Sequence, residues 1–260
     1  MFSLLILSSL ASLKSSSHIF YLVRHGSRYD YDNPERWSSL SKLPHIVATD
    51  PPLNAYGLSQ ARYTASFIKN DLEEEGRLDD ARVLSSGYLR VLQTAQPLLH
   101  LTNRLVNVEP GLMEFGHVHH TIPDCTIRVG QGFPEVNLSY EPLVSLNEVD
   151  ANTPERVKEE ALAYFRRVHK FSKRFDNYVK RSPKGTTTVC FSHAASCSII
   201  ASMLNCKLAD VGKFAPCGIY KLRRHIEDDG GDTGWVLERQ GEGENYKFCR
   251  YEFLKFFIHQ

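Results

Sequence analysis

The chain has 260 residues, 31 of them basic and 30 acidic, for a formal net charge of +1. That balance removes any global electrostatic case for nucleic acid or an anionic membrane surface, although a local basic pocket stays open. With 42% hydrophobic residues the chain can bury a core, and its length suits one large domain or two small ones.

Residues 1–17 read as a leader. Met1 to Leu13 is apolar and resembles a signal-peptide core without a positive stretch ahead of it. It is too short to cross a bilayer, and no long apolar segment follows it. Two readings stand. The leader stays outside the fold of a cytoplasmic protein, or it is a signal peptide cleaved in the run Ser15 to Ser17 of a secreted one. The sequon Asn137-Leu138-Ser139 matters only in the second case. The six cysteines form no CxxC pair, so no zinc ribbon or thioredoxin motif is present. Cys190 and Cys197 sit in apolar runs and read as small buried hydrophobes. A reducing compartment is the simpler reading; paired cysteines belong to the secreted one.

The first strand runs from about His18 to Val23, and its unbroken apolar character predicts burial on both faces. It ends in Arg24-His25-Gly26-Ser27-Arg28, where Gly26 allows a sharp turn. Tyr29 to Pro34 is polar and reads as a loop. Pro51-Pro52-Leu53 then stops the chain and Asn54 offers a helix cap. Leu58, Ala61, Ala65, Ile68 and Leu72 follow at helical spacing, with Gly76 as the stop.

Arg82 to Ser85 is a short strand, and Ser86 to Ala95 a turn entering a helix. Leu105 to Val108 is another strand, ended by Glu109-Pro110-Gly111. Phe115 to Asn152 shows no period and reads as a long excursion of the kind that often forms a lid. Thr153-Pro154-Glu155 is a helix start. Val157, Ala161, Phe165, Val168, Phe175 and Val179 mark one face of the helix after it. Thr186 to Phe191 is a β-branched strand that ends at Ser192-His193-Ala194, and Ile199 to Leu204 is helical. Gly218 to Leu222 and Trp235 to Leu237 are two later strands. Lys221 to His225 reads as an exposed strand face.

Strands alternating with helices predict an α/β fold: a mostly parallel sheet with helices on both faces, formed by residues 18–260 as a single domain.

Two strands therefore end in the same way. His25 and His193 each precede a turn at a strand's carboxyl end, where open α/β sheets bind ligands. If the strands are neighbours, both histidines face one crevice. Arg90 follows a third strand near a helix start, where free backbone N–H groups favour an anion. Glu114 follows a fourth. Arg24, Arg28 and Arg90 with the two histidines make a positive site that needs an anion, and planar guanidinium forks match phosphate. For Arg24, Arg28 or His193 taken singly, a solvated turn or a satisfied core histidine explains the residue; together they point to catalysis. His117, His119 and His120 suggest metal ligation, but without an acid at fixed spacing they read as a solvated cluster. Tyr29, Tyr31, Trp37 and Phe115 line a leaving-group pocket or belong to the core.

These segments resemble the histidine phosphatase superfamily, also called phosphoglycerate-mutase-like. Arg24-His25-Gly26-Ser27-Arg28-Tyr29-Asp30 resembles its R-H-G-x-R-x-D, and Pro52-Leu53-Asn54 to Gly57 and Gln60-Ala61 its P-L/I-T-x-x-G-x-x-Q-A. Ser85 to Ala95 resembles S-P-x-x-R-x-x-Q-T-A, Val108 to Glu114 resembles V-E-P-G-L-x-E, and Phe191 to Ser196 resembles V-x-H-A-S-S. The match is nearest to the phosphatase domain of the suppressor of T-cell receptor signalling (UBASH/Sts) proteins and to ecdysteroid-phosphate phosphatases. Ser27 stands where glutamate is common, Asn54 where threonine is, and Gly87 where proline or serine is. Ser27 and the absence of the mutase's tryptophan-asparagine pair argue against a mutase.

The resemblance implies a three-layer sandwich and a phosphomonoesterase without metal or other cofactor. His25 would be the nucleophile that becomes phosphohistidine, with Arg24, Arg28, Arg90 and His193 on the phosphoryl oxygens. Glu114 would protonate the leaving oxygen, with nearby Glu109 as the alternative. Substrates would be phosphotyrosine protein or steroid and aryl phosphates, and a homodimer is implied by the resemblance alone. A small-metabolite phosphatase and an inactive phosphate-binding module are the competing readings.

Overall fold

The computed structural model describes residues 17–43, 46–116, 125–145, 161–183, 185–204, 214–227 and 231–240. Its centre is a six-stranded sheet in the order β3-β2-β4-β1-β5-β6. These strands are β1 (Ser17–Arg24), β2 (Ala81–Ser85), β3 (Val106–Val108), β4 (Thr187–Ser192), β5 (Ile219–His225) and β6 (Val236–Gln240). The first four run parallel, and β5 and β6 are antiparallel additions at one edge.

β1 and β4 lie at the centre and are buried almost along their whole length, which explains their continuous apolar runs. Successive residues on a strand face opposite sides. The Phe20 ring packs 4.5 Å from Phe175 of the helix α6 (Ala161–Arg181). The hydroxyl of the next residue, Tyr21, donates to Asp71 of the helix α3 (Ala55–Glu74) at 2.6 Å. Helices therefore cover both faces of a mostly parallel sheet, the α/β layering expected from the alternation of elements.

The remaining helices are α1 (Tyr29–Asp32), α2 (Pro34–Leu40), α4 (Leu89–Thr102), α5 (Cys125–Gly130) and α7 (Ala194–Met203). Asn54 caps α3 by accepting from the Gly57 N–H at 2.6 Å. α4 ends at Asn103 in the left-handed region, φ 49°.

Several expectations need correction. Tyr29 to Pro34 is not a loop: it holds α1 and starts α2, where Pro34 takes the first helical position. α7 begins at Ala194, directly after His193, rather than at Ile199. Leu58 and Phe165 fit their helical stripes by spacing but are exposed. Lys221 and Arg224 are buried rather than on an exposed face. Lys221 Nζ lies 2.9 Å from Asp71 and 2.8 Å from Glu75, and Arg224 pairs with Asp176 and Asp232. Within Phe115 to Asn152, α5 is the one helix among the described residues. Residues 1–16, the His117 to His120 cluster, Cys206, Cys249 and the helix start at Thr153 lie outside the described residues. Cys190, Cys197 and Cys217 are free, buried thiols.

Candidate active site

The sheet register brings the two histidines together. Arg24 pairs with Ser192 across β1 and β4, so the next residues, His25 and His193, leave the sheet side by side. Their rings stand 5.4 Å apart at 66°, and both are buried. The turn after His25 needs glycine on both sides of a close approach. A Cβ on Gly26 would meet the Gly57 carbonyl oxygen at 2.8 Å, and one on Gly57 would meet the Ser27 oxygen at 2.2 Å. The Gly26 N–H donates to Thr94 Oγ1 of α4 at 3.1 Å.

His25 Nδ1 lies 2.7 Å from the Gly26 carbonyl oxygen. A carbonyl only accepts, so Nδ1 carries the proton and Nε2 keeps its lone pair. Burial, with Arg90 and then Arg24 behind it, holds His25 well below the usual imidazole range. Burial and Arg90 do the same for His193. Both rings are thus neutral near pH 7.

His193 is held at both nitrogens. Nε2 is 2.9 Å from Ser86 Oγ, the residue after β2. Nδ1 receives Arg90 Nη2 at 3.3 Å and lies 3.4 Å from Glu114 Oε2. Arg90, at the start of α4, stacks over the Tyr88 ring at 4.5 Å. Asp50 anchors it from behind, with Oδ1 3.6 Å from Nη1. Asp50 also accepts from the Leu89 N–H at 2.8 Å and pairs with Arg128 of α5. Arg24 donates Nη1 to the Phe214 carbonyl at 2.7 Å. Among the described residues, Arg24 Nε and Arg90 Nε and Nη1 are buried without a hydrogen-bond partner. Buried cationic donors with unmet hydrogen-bonding capacity suit an anion.

Arg28 is placed differently. Its Nε and Nη2 fork onto Asp30 at 3.0 and 2.6 Å, and Nη1 donates to the Tyr31 hydroxyl at 3.1 Å. Tyr31 is exposed, while Tyr29, Trp37 and Phe115 are half-buried. The two glutamates also separate. Glu114 faces His193. Glu109 is fully buried and accepts from Gly111 N, Tyr140 Oη, Leu143 N and Val144 N at 2.7–3.1 Å. Sequence reading did not find Ser86, Tyr88, Asp50 or Arg128. Ser86 carries a signal, since it follows a strand as the two histidines do.

Ligand atoms of His25, Glu114 and His193 all lie within 4.8 Å of one another, a spacing a cation could use. The guanidinium groups of Arg24 and Arg90 give this cluster the opposite preference, for an anion.

The fold and site define an α/β protein with paired histidines at strand ends and buried guanidinium groups beside them. Residues 20–233 match the model of the histidine phosphatase superfamily, branch 1. The chain belongs to that superfamily and is a phosphatase. Ecdysone phosphate phosphatase from Bombix mori, solved with tungstate, has a TM-score of 0.62 at 17% identity, over 92% of this chain and 99% of that one. A mycobacterial glucosyl-3-phosphoglycerate phosphatase solved with VO3 has a TM-score of 0.51 at 17% identity, over 86% and 99%. At these identities the likeness is one of fold. No curated protein sequence matches the chain.

Proposed function

We propose that the chain is a phosphomonoesterase that needs no metal and works through a phosphohistidine on His25. The observation that carries this is the pairing of a neutral His25, protonated at Nδ1, with Arg24 and Arg90 donors that lack hydrogen-bond partners among the described residues. Nε2 attacks phosphorus, a P–N bond forms and the ester P–O bond breaks. Glu114 gives its proton to the departing oxygen. Water then attacks the phosphohistidine, Glu114 takes up the water's proton, and inorganic phosphate leaves with His25 restored. Arg24 and Arg90 bear the charge on the phosphoryl oxygens, and His193, whose Nδ1 accepts from Arg90, holds that guanidinium in place. Arg28 joins them once the anion competes with Asp30 for its donors.

Aryl and steroid phosphates, with phosphotyrosine proteins among the aryl class, are the substrate class we assign. The likeness to an ecdysone phosphate phosphatase supports it, and so does the placing of Tyr31 on the Arg28 guanidinium, 4.5 Å from ring centre to carbon. The test is p-nitrophenyl phosphate hydrolysis with a chelator present, with acid-labile phosphoenzyme trapped at early times. Native protein should turn over and label; His25→Ala should do neither. Activity lost to chelator, or kept in His25→Ala, would overturn the mechanism.

A further inference from the structure

Glu114 sits at the end of a short turn, Pro110 to Glu114, and one buried arginine grips that turn from behind. Arg166 and Arg167 are adjacent on α6. Arg166 is exposed, whereas Arg167 is 4% exposed. Burying a guanidinium is costly unless its donors are matched. Arg167 Nη1 donates to the carbonyls of Pro110 at 2.9 Å and Met113 at 3.2 Å. Nη2 donates to the carbonyl of Glu114 itself at 3.1 Å. One planar group therefore ties the first residue of the turn to the last.

The surroundings make this grip tight. A Cβ on Gly111 would meet Phe171, one helical turn after Arg167, at 2.6 Å, so the turn lies directly on α6. Ser192 Oγ holds the Leu112 carbonyl at 2.6 Å and Ser196 Oγ the Met113 carbonyl at 3.0 Å. Glu114 Oε1 accepts the Phe115 N–H at 3.1 Å, which leaves Oε2 facing His193 Nδ1 at 3.4 Å. The carboxylate is thus aimed by its own backbone, and Arg167 fixes that backbone.

We propose that Arg167 is the positioning residue for Glu114, holding its carboxyl where the leaving oxygen departs. This rests on the reading of Glu114 as proton donor. A donor matters in proportion to the need of the leaving group for a proton, and displacing a reacting group by about 1 Å can cost about 10²-fold in rate. A residue that merely stabilises the fold would not discriminate between leaving groups.

The experiment measures kcat/KM for p-nitrophenyl phosphate, phenyl phosphate and an alkyl phosphate, in native protein, Glu114→Gln, Arg167→Met, Arg167→Lys and the Glu114→Gln/Arg167→Met double variant. Arg167→Met should fall within about threefold of native on p-nitrophenyl phosphate and lose about 10²-fold on the alkyl phosphate. The double variant should be no worse than Glu114→Gln alone, since both changes remove one function. Arg167→Lys, which keeps the charge but not the fork, should fall between native and Arg167→Met, and it carries the test if Arg167→Met does not fold. A loss equal across substrates, in either Arg167 variant, while Glu114→Gln stays leaving-group dependent, overturns the proposal. A flat Glu114→Gln series instead overturns the reading of Glu114 as the acid.

Discussion

His25 points its one N–H at the carbonyl oxygen of its neighbour Gly26, 2.7 Å away, and so keeps Nε2 unprotonated. Burial and two arginines lower the ring's proton affinity further. An imidazole of ordinary pKa, ~6.5, would lose about fivefold in its neutral fraction between about pH 6.5 and about pH 5.5. His25 stays neutral to lower pH. The acid limb of kcat/KM should therefore fall by much less than about fivefold between about pH 6.5 and about pH 5.5. A pH–rate profile on p-nitrophenyl phosphate checks this, and a drop of about fivefold over that unit would assign His25 an ordinary pKa.

The same burial makes the fold acid-sensitive. His18, His25 and His193 are all buried and all lowered, mainly by desolvation. The unfolded chain takes up their protons near pH 6.5; the folded chain does so only at lower pH. The unfolded state thus binds more protons in this window, and stability is full above ~6.5 and falls as pH drops below it. The histidines contribute a slope of up to about 1.4 kcal/mol per pH unit each, so about 4 for the three. Burial pushes the Asp50 and Glu109 carboxyls up, which acts in the opposite sense and lessens that slope. For Glu75 burial also acts upward, but Lys221 and Arg223 outweigh it and hold the carboxyl at about 2, so its contribution is lost only at lower pH. Urea titrations between pH 7 and pH 5 measure the net slope; a flat or rising series toward pH 5 would mean that the histidines do not outweigh the two carboxyls.

Much of this site is legible in the sequence because it lies at chain positions where the pattern changes. His25 and His193 each interrupt an apolar run, and Arg90 stands at the join of a strand and a helix. Both strands carry an unbroken apolar run, Ile19 to Val23 in β1 and Val189 to Phe191 in β4, which marks them as buried, but that they are neighbours shows only in the register. What is not legible depends on partners far along the chain. Lys221 and Arg224 look like solvent-facing strand residues until Asp71, Glu75, Asp176 and Asp232 come up against them. Periodicity cannot say which of Arg166 and Arg167 turns inward. Asp50 and Arg128 come from segments without a period, and the contacts of Asp50 with Arg90 and with Arg128 are tertiary. Arg28 is legible as a site residue, but its fork onto Asp30 is not.

Glu109 and Glu114, five residues apart, should separate cleanly by mutation. Glu109 is fully buried and satisfies three backbone N–H groups and the Tyr140 hydroxyl, fastening residues 140–144 to the end of β3. Glu109→Ala strands those donors and should cost about 3 kcal/mol of stability or more. Glu114 is partly exposed and makes one backbone hydrogen bond. Glu114→Gln should leave the melting temperature close to native while lowering kcat/KM on poor leaving groups about 10²-fold or more. Thermal melts run beside the kinetics decide it. A stable Glu109→Ala with lost turnover would reverse the two roles.

Arg90 should be the arginine least open to replacement. It is buried, it meets His193 at 3.3 Å, and its Nε and Nη1 lack hydrogen-bond partners among the described residues. Asp50 holds it from behind, so its position is set before any anion arrives. Losing such a preorganised donor typically costs about 10²–10³ in rate. Arg90→Ala should show that loss in kcat/KM and weaken competitive inhibition by orthophosphate. Arg90→Lys should not restore it, because a point ammonium cannot replace a planar fork that faces His193, Asp50 and a phosphoryl group at once. Removing Arg90 also leaves Asp50 with Arg128 as its remaining guanidinium partner, so the variants should be compared at matched fold stability. Lysine activity within about threefold of native would mean that charge alone, without the guanidinium's geometry, is what the site requires.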